Sequence, residues 1–191
     1  MSNNITGNPS PWMYYVSKAT TGLWLRLFGV RFVGDKNLPK SGPAIIAANH
    51  IHSLDPFAIG QSFRRPLYFM TKKELFVNPI SKWFFRSGNG FSVDRQKADL
   101  SAIKTSLRIL AAGEFLVIFP SGHRGANDSR GGAGYLANKA HVPVIPVGIA
   151  QHGRRFTLIF GDPISPLATA DATTHRVQEA MDALRVQAES N

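Results

Sequence analysis

Short apolar runs bounded by turn residues alternate along this chain with stretches whose apolar positions recur at helical spacing. Ala44-Ile45-Ile46-Ala47-Ala48 follows Ser41-Gly42-Pro43 and reads as a buried strand. Leu67-Tyr68-Phe69-Met70, Gly90-Phe91-Ser92-Val93, Phe115-Leu116-Val117-Ile118-Phe119, Val144 to Ile149 and Phe156 to Phe160 read as further strands. Between them, helical spacing predicts a helix opening at Phe57-Ala58-Ile59, a short one from Pro79 to Arg86, and one over Asp99 to Ala112 stopped by Gly113. Another helix is expected near Gly134 to Ala140, and a closing one turns Val177, Met181 and Leu184 inward. Strands interleaved with helices predict an α/β single domain: a mixed, mainly parallel sheet flanked by helices.

Ahead of this pattern, residues 1–29 form a polar tail and an amphipathic helix from Pro11 to about Phe28. Trp12, Met13, Val16, Thr20, Leu23, Trp24 and Leu27 share one face, with Lys18 opposite and Arg26 at the flank. Lys18, Thr20, Thr21 and Arg26 interrupt any apolar span of membrane-crossing length, and a signal peptide's charged start and cleavage site are missing. Two readings of the stripe stand: a face packed on the domain, or one lying in a lipid interface with its aromatic rings at headgroup depth.

A chain of 191 residues with 43% hydrophobic content fills one core. The absence of cysteine removes disulfides, thiolate metal sites and a cysteine nucleophile. A net charge of +10, from 22 Lys and Arg against 12 Asp and Glu, points to an anionic partner. The basic residues stand in ones and twos with no nucleic-acid motif, so a nucleic acid ranks below a lipid or phosphorylated substrate.

His50 and Asp55 stand where the first strand gives way to a helix, in Asn49-His50-Ile51-His52-Ser53-Leu54-Asp55-Pro56. Within one continuous helix their side chains would splay about 140° apart. A strand end followed by a tight turn lets them converge, and a carboxylate on one ring nitrogen readies the other to take a proton near neutral pH. Asp55 also fits a plain N-cap with Pro56 at the first helical position, and that reading stays open. A metal site built on His50 and His52 lacks a second ligand cluster. His52 reads as a turn or surface residue.

Four blocks in order resemble the glycerolipid acyltransferases, the superfamily of lysophosphatidic acid and glycerol-3-phosphate acyltransferases. Asn49-His50 with Asp55-Pro56 is similar to that family's N-H-x-x-x-x-D. Lys72-Lys73-Glu74-Leu75-Phe76 and Gly90 to Arg95 resemble its K-x-E-L segment and G-x-x-x-x-R. Phe119-Pro120-Ser121-Gly122-His123-Arg124 resembles F-P-E-G-T-R, and Val142 to Val147 a fourth block with proline after a strand.

The resemblance covers residues 30 to 165 and implies an acyltransferase domain over 30–191. It implies His50 as general base and Asp55 as its orienter, with an acceptor hydroxyl attacking the thioester of acyl-CoA or acyl carrier protein directly. No cofactor beyond that co-substrate and no metal is implied. Arg95 and Arg124, with Lys73, Ser121 and Gly122, are implied around the acceptor's phosphate, where guanidinium forks suit phosphate oxygens.

Two positions depart from the pattern. Ser121 stands where the family has Glu and His123 where it has Thr, which leaves Arg124 a short neutral hydroxyl as neighbour. A serine hydrolase built on Ser121 is disfavoured because Phe119 breaks the G-x-S-x-G elbow. The expectation is a transferase of phospholipid biosynthesis, peripheral on the cytoplasmic face of a membrane, acting on a lysophospholipid or related acceptor. A catalytically weak homologue that binds lipid or acyl carrier is the alternative, motivated by Ser121.

Overall fold

A computed structural model describes residues 5–94, 99–120, 132–153 and 155–191, apart from the side chains of 26–28 and 37. Seven strands form one sheet: β1 (Val30–Val33), β2 (Ala44–Ala48), β3 (Leu67–Lys72), β4 (Gly90–Val93), β5 (Phe115–Ile118), β6 (Val144–His152) and β7 (Arg155–Phe160). Their spatial order is β1-β7-β6-β2-β5-β3-β4. Every neighbouring pair is parallel except β6 with β7. The mixed, mainly parallel sheet expected from the alternation is therefore present.

A parallel strand is covered on both faces, which explains why β2 reads as an unbroken apolar run. Ala44, Ile46 and Ala48 face the side carrying α2 (Asp55–Ser62), whose Ala58 and Ile59 share their cluster. Ile45 and Ala47 face the opposite layer of α4 (Leu100–Ala111), α5 (Gly132–Ala140) and α6 (Ala170–Glu189). That layer packs tightly: a Cβ at Gly148 of β6 would lie 2.3 Å from the Leu184 carbonyl carbon of α6. A side chain there would push the helix off the sheet. Val177 and Met181 are buried and Leu184 is half-buried, as expected of an inward stripe.

β1 is a strand that the pattern analysis did not identify. Its four residues are broken by exposed Arg31, and its parallel partner β7 lies near the other end of the chain. No local periodicity carries that pairing.

The N-terminal helix α1 (Pro11–Phe28) packs on α2 through a face other than the apolar stripe. Tyr14, Lys18, Thr21 and Leu25, spaced by four, three and four residues, run down the inner side. The Leu67 amide donates to the Tyr14 oxygen at 3.0 Å, and the Lys18 amine donates to the Phe63 carbonyl. Gln61 Nε2 donates to the Lys18 carbonyl at 2.9 Å and to Thr21 Oγ1 at 3.2 Å. Burial pushes the Tyr14 phenol up to about 12 and moves the Lys18 amine below its ordinary range. Trp12 and Leu23, 62% and 65% exposed, point outward with Tyr15, Val16 and Trp24. Polar docking on the inside leaves the large apolar side chains on the outside. The side chains of Arg26 and Leu27 lie outside those described.

Candidate active site

The central strand β2 ends at Ala48, and the next residue extends its pairing with a side chain. Asn49 Nδ2 donates to the Ile149 carbonyl at 2.8 Å, and the Ile149 amide donates back to Asn49 Oδ1 at 2.7 Å. A side-chain amide thus makes both hydrogen bonds that a peptide unit would make to β6, and both groups are buried. This pin sets where the chain leaves the sheet.

His50 follows, and the chain turns through Ile51 to Leu54 into α2. Leu54 is the residue that precedes the helix, at φ −91° and ψ −9°; Asp55 and Pro56 are its first two members. Asp55 does not cap α2. Its carboxylate turns back over the loop, and Oδ2 accepts from His50 Nδ1, the Ile51 amide and the His52 amide, each at 2.8 Å. Pro56, with φ fixed and no amide hydrogen, suits a tight helix start that leaves the preceding carboxylate to this task.

Asp55 is 0% exposed, and a buried carboxylate needs such donors. Its other oxygen, Oδ1, has no hydrogen-bond partner among the described residues. An ionised carboxylate only accepts, so in this bond His50 Nδ1 is the donor. The imidazole also rests against Phe119, with ring centroids 4.5 Å apart and planes at 35°. His52 takes part in the turn as expected: its Nδ1 accepts from the Leu54 amide at 3.2 Å.

The parallel strands β2, β3, β4 and β5 deliver their carboxyl ends to one edge of the sheet. This is where open α/β sheets gather their functional groups. A cavity of about 630 Å³ opens there, with His50, His52, Lys72 and Phe119 beside the apolar Phe57, Met70, Leu75 and Phe84. Met13, Tyr14, Ser17, Lys18 and Thr21 of α1 close it from the other side.

Lys72, rather than Lys73, lines this cavity. Lys73 Nζ donates to Asp94 Oδ2 at 2.6 Å, and that hydrogen bond holds its amine above the ordinary range. The Asp94 amide in turn donates to Asp99 Oδ2 at 2.9 Å. Asp99 caps α4 through the Ser101 and Ala102 amides. The Ser101 hydroxyl, 2.6 Å from Asp99 Oδ1, leads a set of donors that lower this carboxyl to about 2. Lys73 therefore helps to hold the end of β4, from which the chain runs on towards Arg95. Arg95, Ser121, Gly122, His123 and Arg124 lie outside the described residues, while their flanks Asp94 and Pro120 stand at the same carboxyl edge as His50.

Three features escaped the sequence analysis. Asn49 acts as a pin, Phe119 as the surface under the imidazole, and Lys72 as a cation of the cavity wall. All three stood inside quoted motifs, and nothing local revealed the contacts of the first two. Lys72 ends β3 while Lys73 opens the following 3₁₀ turn, a boundary the sequence pattern did not mark.

Among the described residues, no group of three or more His, Cys, Asp or Glu could hold a metal ion. Nor is any helix among them long and apolar enough to cross a membrane.

Comparison with known proteins bears on the family and the fold. The family model described as Acyltransferase matches residues 29–150. A 1-acyl-sn-glycerol-3-phosphate acyltransferase of Bacillus subtilis is 31% identical over 147 residues, covering 71% of this chain and 74% of that protein. Its counterpart in Streptococcus pneumoniae is 35% identical over 131 residues, 63% of this chain, and there the match spans about half the relative's length, 49%. Among solved structures, the 1-acyl-sn-glycerophosphate (LPA) acyltransferase PlsC of Thermotoga maritima superposes with a TM-score of 0.74 at 22% identity. That superposition covers 95% of this chain and 80% of that one, and it shows the shared fold. On the family match over residues 29–150 and the Bacillus subtilis relative, the chain belongs to the acyltransferase family.

Proposed function

We propose that this chain transfers a fatty acyl group from acyl-CoA or acyl carrier protein to the free hydroxyl of a lysophosphatidic-acid-like acceptor at a membrane surface. The observation that carries this reading is the 2.8 Å bond between His50 Nδ1 and buried Asp55, set in the wall of a largely apolar cavity. With Nδ1 held by the carboxylate, Nε2 takes the proton of the acceptor hydroxyl. The oxygen forms its bond to the thioester carbonyl carbon, the carbon–sulfur bond breaks, and the thiolate leaves to take up a proton. Such base catalysis is worth roughly 10²–10⁴-fold, and holding both substrates in one cavity adds to it.

The apolar lining suits an acyl chain. Lys72 supplies a cation in the cavity that His50 lines, and Arg95, Arg124, Ser121 and Gly122 complete the phosphate site by resemblance. Lys73 serves through Asp94 at the end of β4. The relatives' names, 1-acyl-sn-glycerol-3-phosphate acyltransferases, favour lysophosphatidic acid as acceptor. The outward apolar face of α1 supports a peripheral position on a bilayer, and the +10 charge supports an anionic, cytoplasmic leaflet.

The test is a transfer assay. Purified protein is incubated with labelled acyl-CoA or acyl carrier protein and with lysophosphatidic acid, lysophosphatidylcholine or glycerol 3-phosphate in turn. The expected product is phosphatidic acid. Donor binding without transfer to any acceptor supports the non-catalytic lipid-binding alternative instead.

A further inference from the structure

A second apolar surface adjoins the cavity and shares Leu75 and Phe84 with it, and the acyl-transfer reading leaves the rest of it, Val77, Ile80 and Trp83, unused. The 3₁₀ turn at Lys73–Leu75 leads into α3 (Pro79–Ser87), capped by Asn78 and Ser81 in a reciprocal pair. This segment turns Leu75, Val77, Ile80, Trp83 and Phe84 towards solvent, with Ile80 at 80% and Val77 at 76% exposure. Folded chains seldom leave so many large apolar side chains together on the outside without a partner for them.

We propose that this face of α3 and the segment before it form a second lipid contact, which together with α1 seats the cavity mouth on an anionic bilayer. The proposal rests on the membrane-surface reading above. Three observations support lipid as the occupant.

The first is position. Leu75, Phe84 and Phe85 line the cavity from the α3 side, and Met13, Tyr14 and Ser17 line it from α1. The exposed apolar sets of the two helices therefore flank one opening, where a single extended apolar phase can cover both.

The second is the charge around the face. At about 100° per residue, Trp83, Ile80 and Phe84 span one arc of α3; exposed Arg86 stands at its border, about 60° beyond Trp83, and exposed Lys82 lies farther round the helix. A long cationic side chain at that border can reach lipid phosphates while its stem stays on the apolar side. Between Lys72 and Arg86 the single acid is Glu74.

The third is the kinship of the two faces. Each carries tryptophan with aliphatic neighbours, Trp12 and Leu23 on α1 and Trp83 and Ile80 on α3. Tryptophan suits the boundary between headgroups and acyl chains.

The chain has three tryptophans, Trp12, Trp24 and Trp83, so W12F/W24F leaves Trp83 as the sole emitter. This variant is mixed with phosphatidylcholine vesicles or with vesicles containing phosphatidylglycerol, and binding is scored independently by sedimentation. With the anionic vesicles, Trp83 emission should shift to the blue, be quenched by lipids brominated on their acyl chains, and become shielded from acrylamide. In the native background, I80S/W83S should bind anionic vesicles roughly tenfold more weakly. Its thermal unfolding temperature should fall by only a few degrees, because Ile80 is 80% and Trp83 42% exposed.

Sedimentation with Trp83 still open to acrylamide and unquenched by bromolipid overturns the α3 contact and leaves the membrane reading standing. No sedimentation with either vesicle overturns both. Concentration-dependent dimerisation that shields Trp83 without vesicles overturns the proposal in favour of a second copy of the chain.

Discussion

The turn from Asn49 to Asp55 and the rim formed by α1 and α3 bound the same cavity and are built on opposite principles. In the turn, one carboxylate oxygen fixes three donors at 2.8 Å, and an asparagine completes the sheet ladder behind them. Around the rim, large apolar side chains face outward, and their contribution depends on area rather than on any distance. Proton transfer needs atoms at hydrogen-bond range, whereas an apolar phase binds any surface of sufficient extent. The polar inner contacts of α1, through Tyr14, Lys18 and Gln61, let one helix belong to both regions.

The sharpest way to break the contrast is His50→Ala. Turnover should fall by at least ~10²-fold, with a stability loss of about 1–3 kcal/mol, because buried Asp55 loses one donor and keeps the Ile51 and His52 amides. Near-normal turnover in a steady-state assay ends the mechanism. Asp55→Asn should cost at least roughly tenfold in turnover and about 1–3 kcal/mol in stability, since a buried charge with three donors is replaced by a neutral amide. Denaturant titration beside the kinetics separates these two losses.

Asn49→Ala leaves the Ile149 amide and carbonyl buried without their partner. It should cost about 1–3 kcal/mol and lower kcat more than it raises KM. Asn49→Asp should not rescue it, because a carboxylate cannot donate to the Ile149 carbonyl. A variant with unchanged kcat would show that the pin serves the fold alone.

The smallest effect concerns acid. The Asp99 carboxyl lies at about 2 in the folded chain, below its ordinary 3.8. Its ionised form is favoured by folding, so the stability it contributes is present above about pH 4 and is lost as pH falls through about 2. Asp99→Asn should therefore unfold at a slightly lower temperature than the wild type at neutral pH. The two melting temperatures should converge near pH 2. A gap that persists there assigns the effect to helix capping rather than to charge.

Most of the sheet was legible because buried parallel strands write themselves as short apolar runs, and β2, β3, β5 and β6 are such runs. β1 was not, since its pairing with β7 joins remote residues and Arg31 breaks its apolar pattern. The convergence of His50 and Asp55 followed from a strand end and a proline close together in the chain. The cap expected of Asp55 did not form, because the same oxygen serves the imidazole and two loop amides.

By itself the sequence determined the class of fold and the meeting of His50 with Asp55 at the end of β2. Each of these depends on residues within a few positions of one another. Tertiary structure decided which side of α1 is packed and that Lys72 faces the cavity while Lys73 holds Asp94. It also decided that Asn49 reaches Ile149 and that two exposed apolar helices flank one opening. Those outcomes depend on contacts between residues far apart in the chain, where periodicity shows that a face exists and only packing selects what it meets.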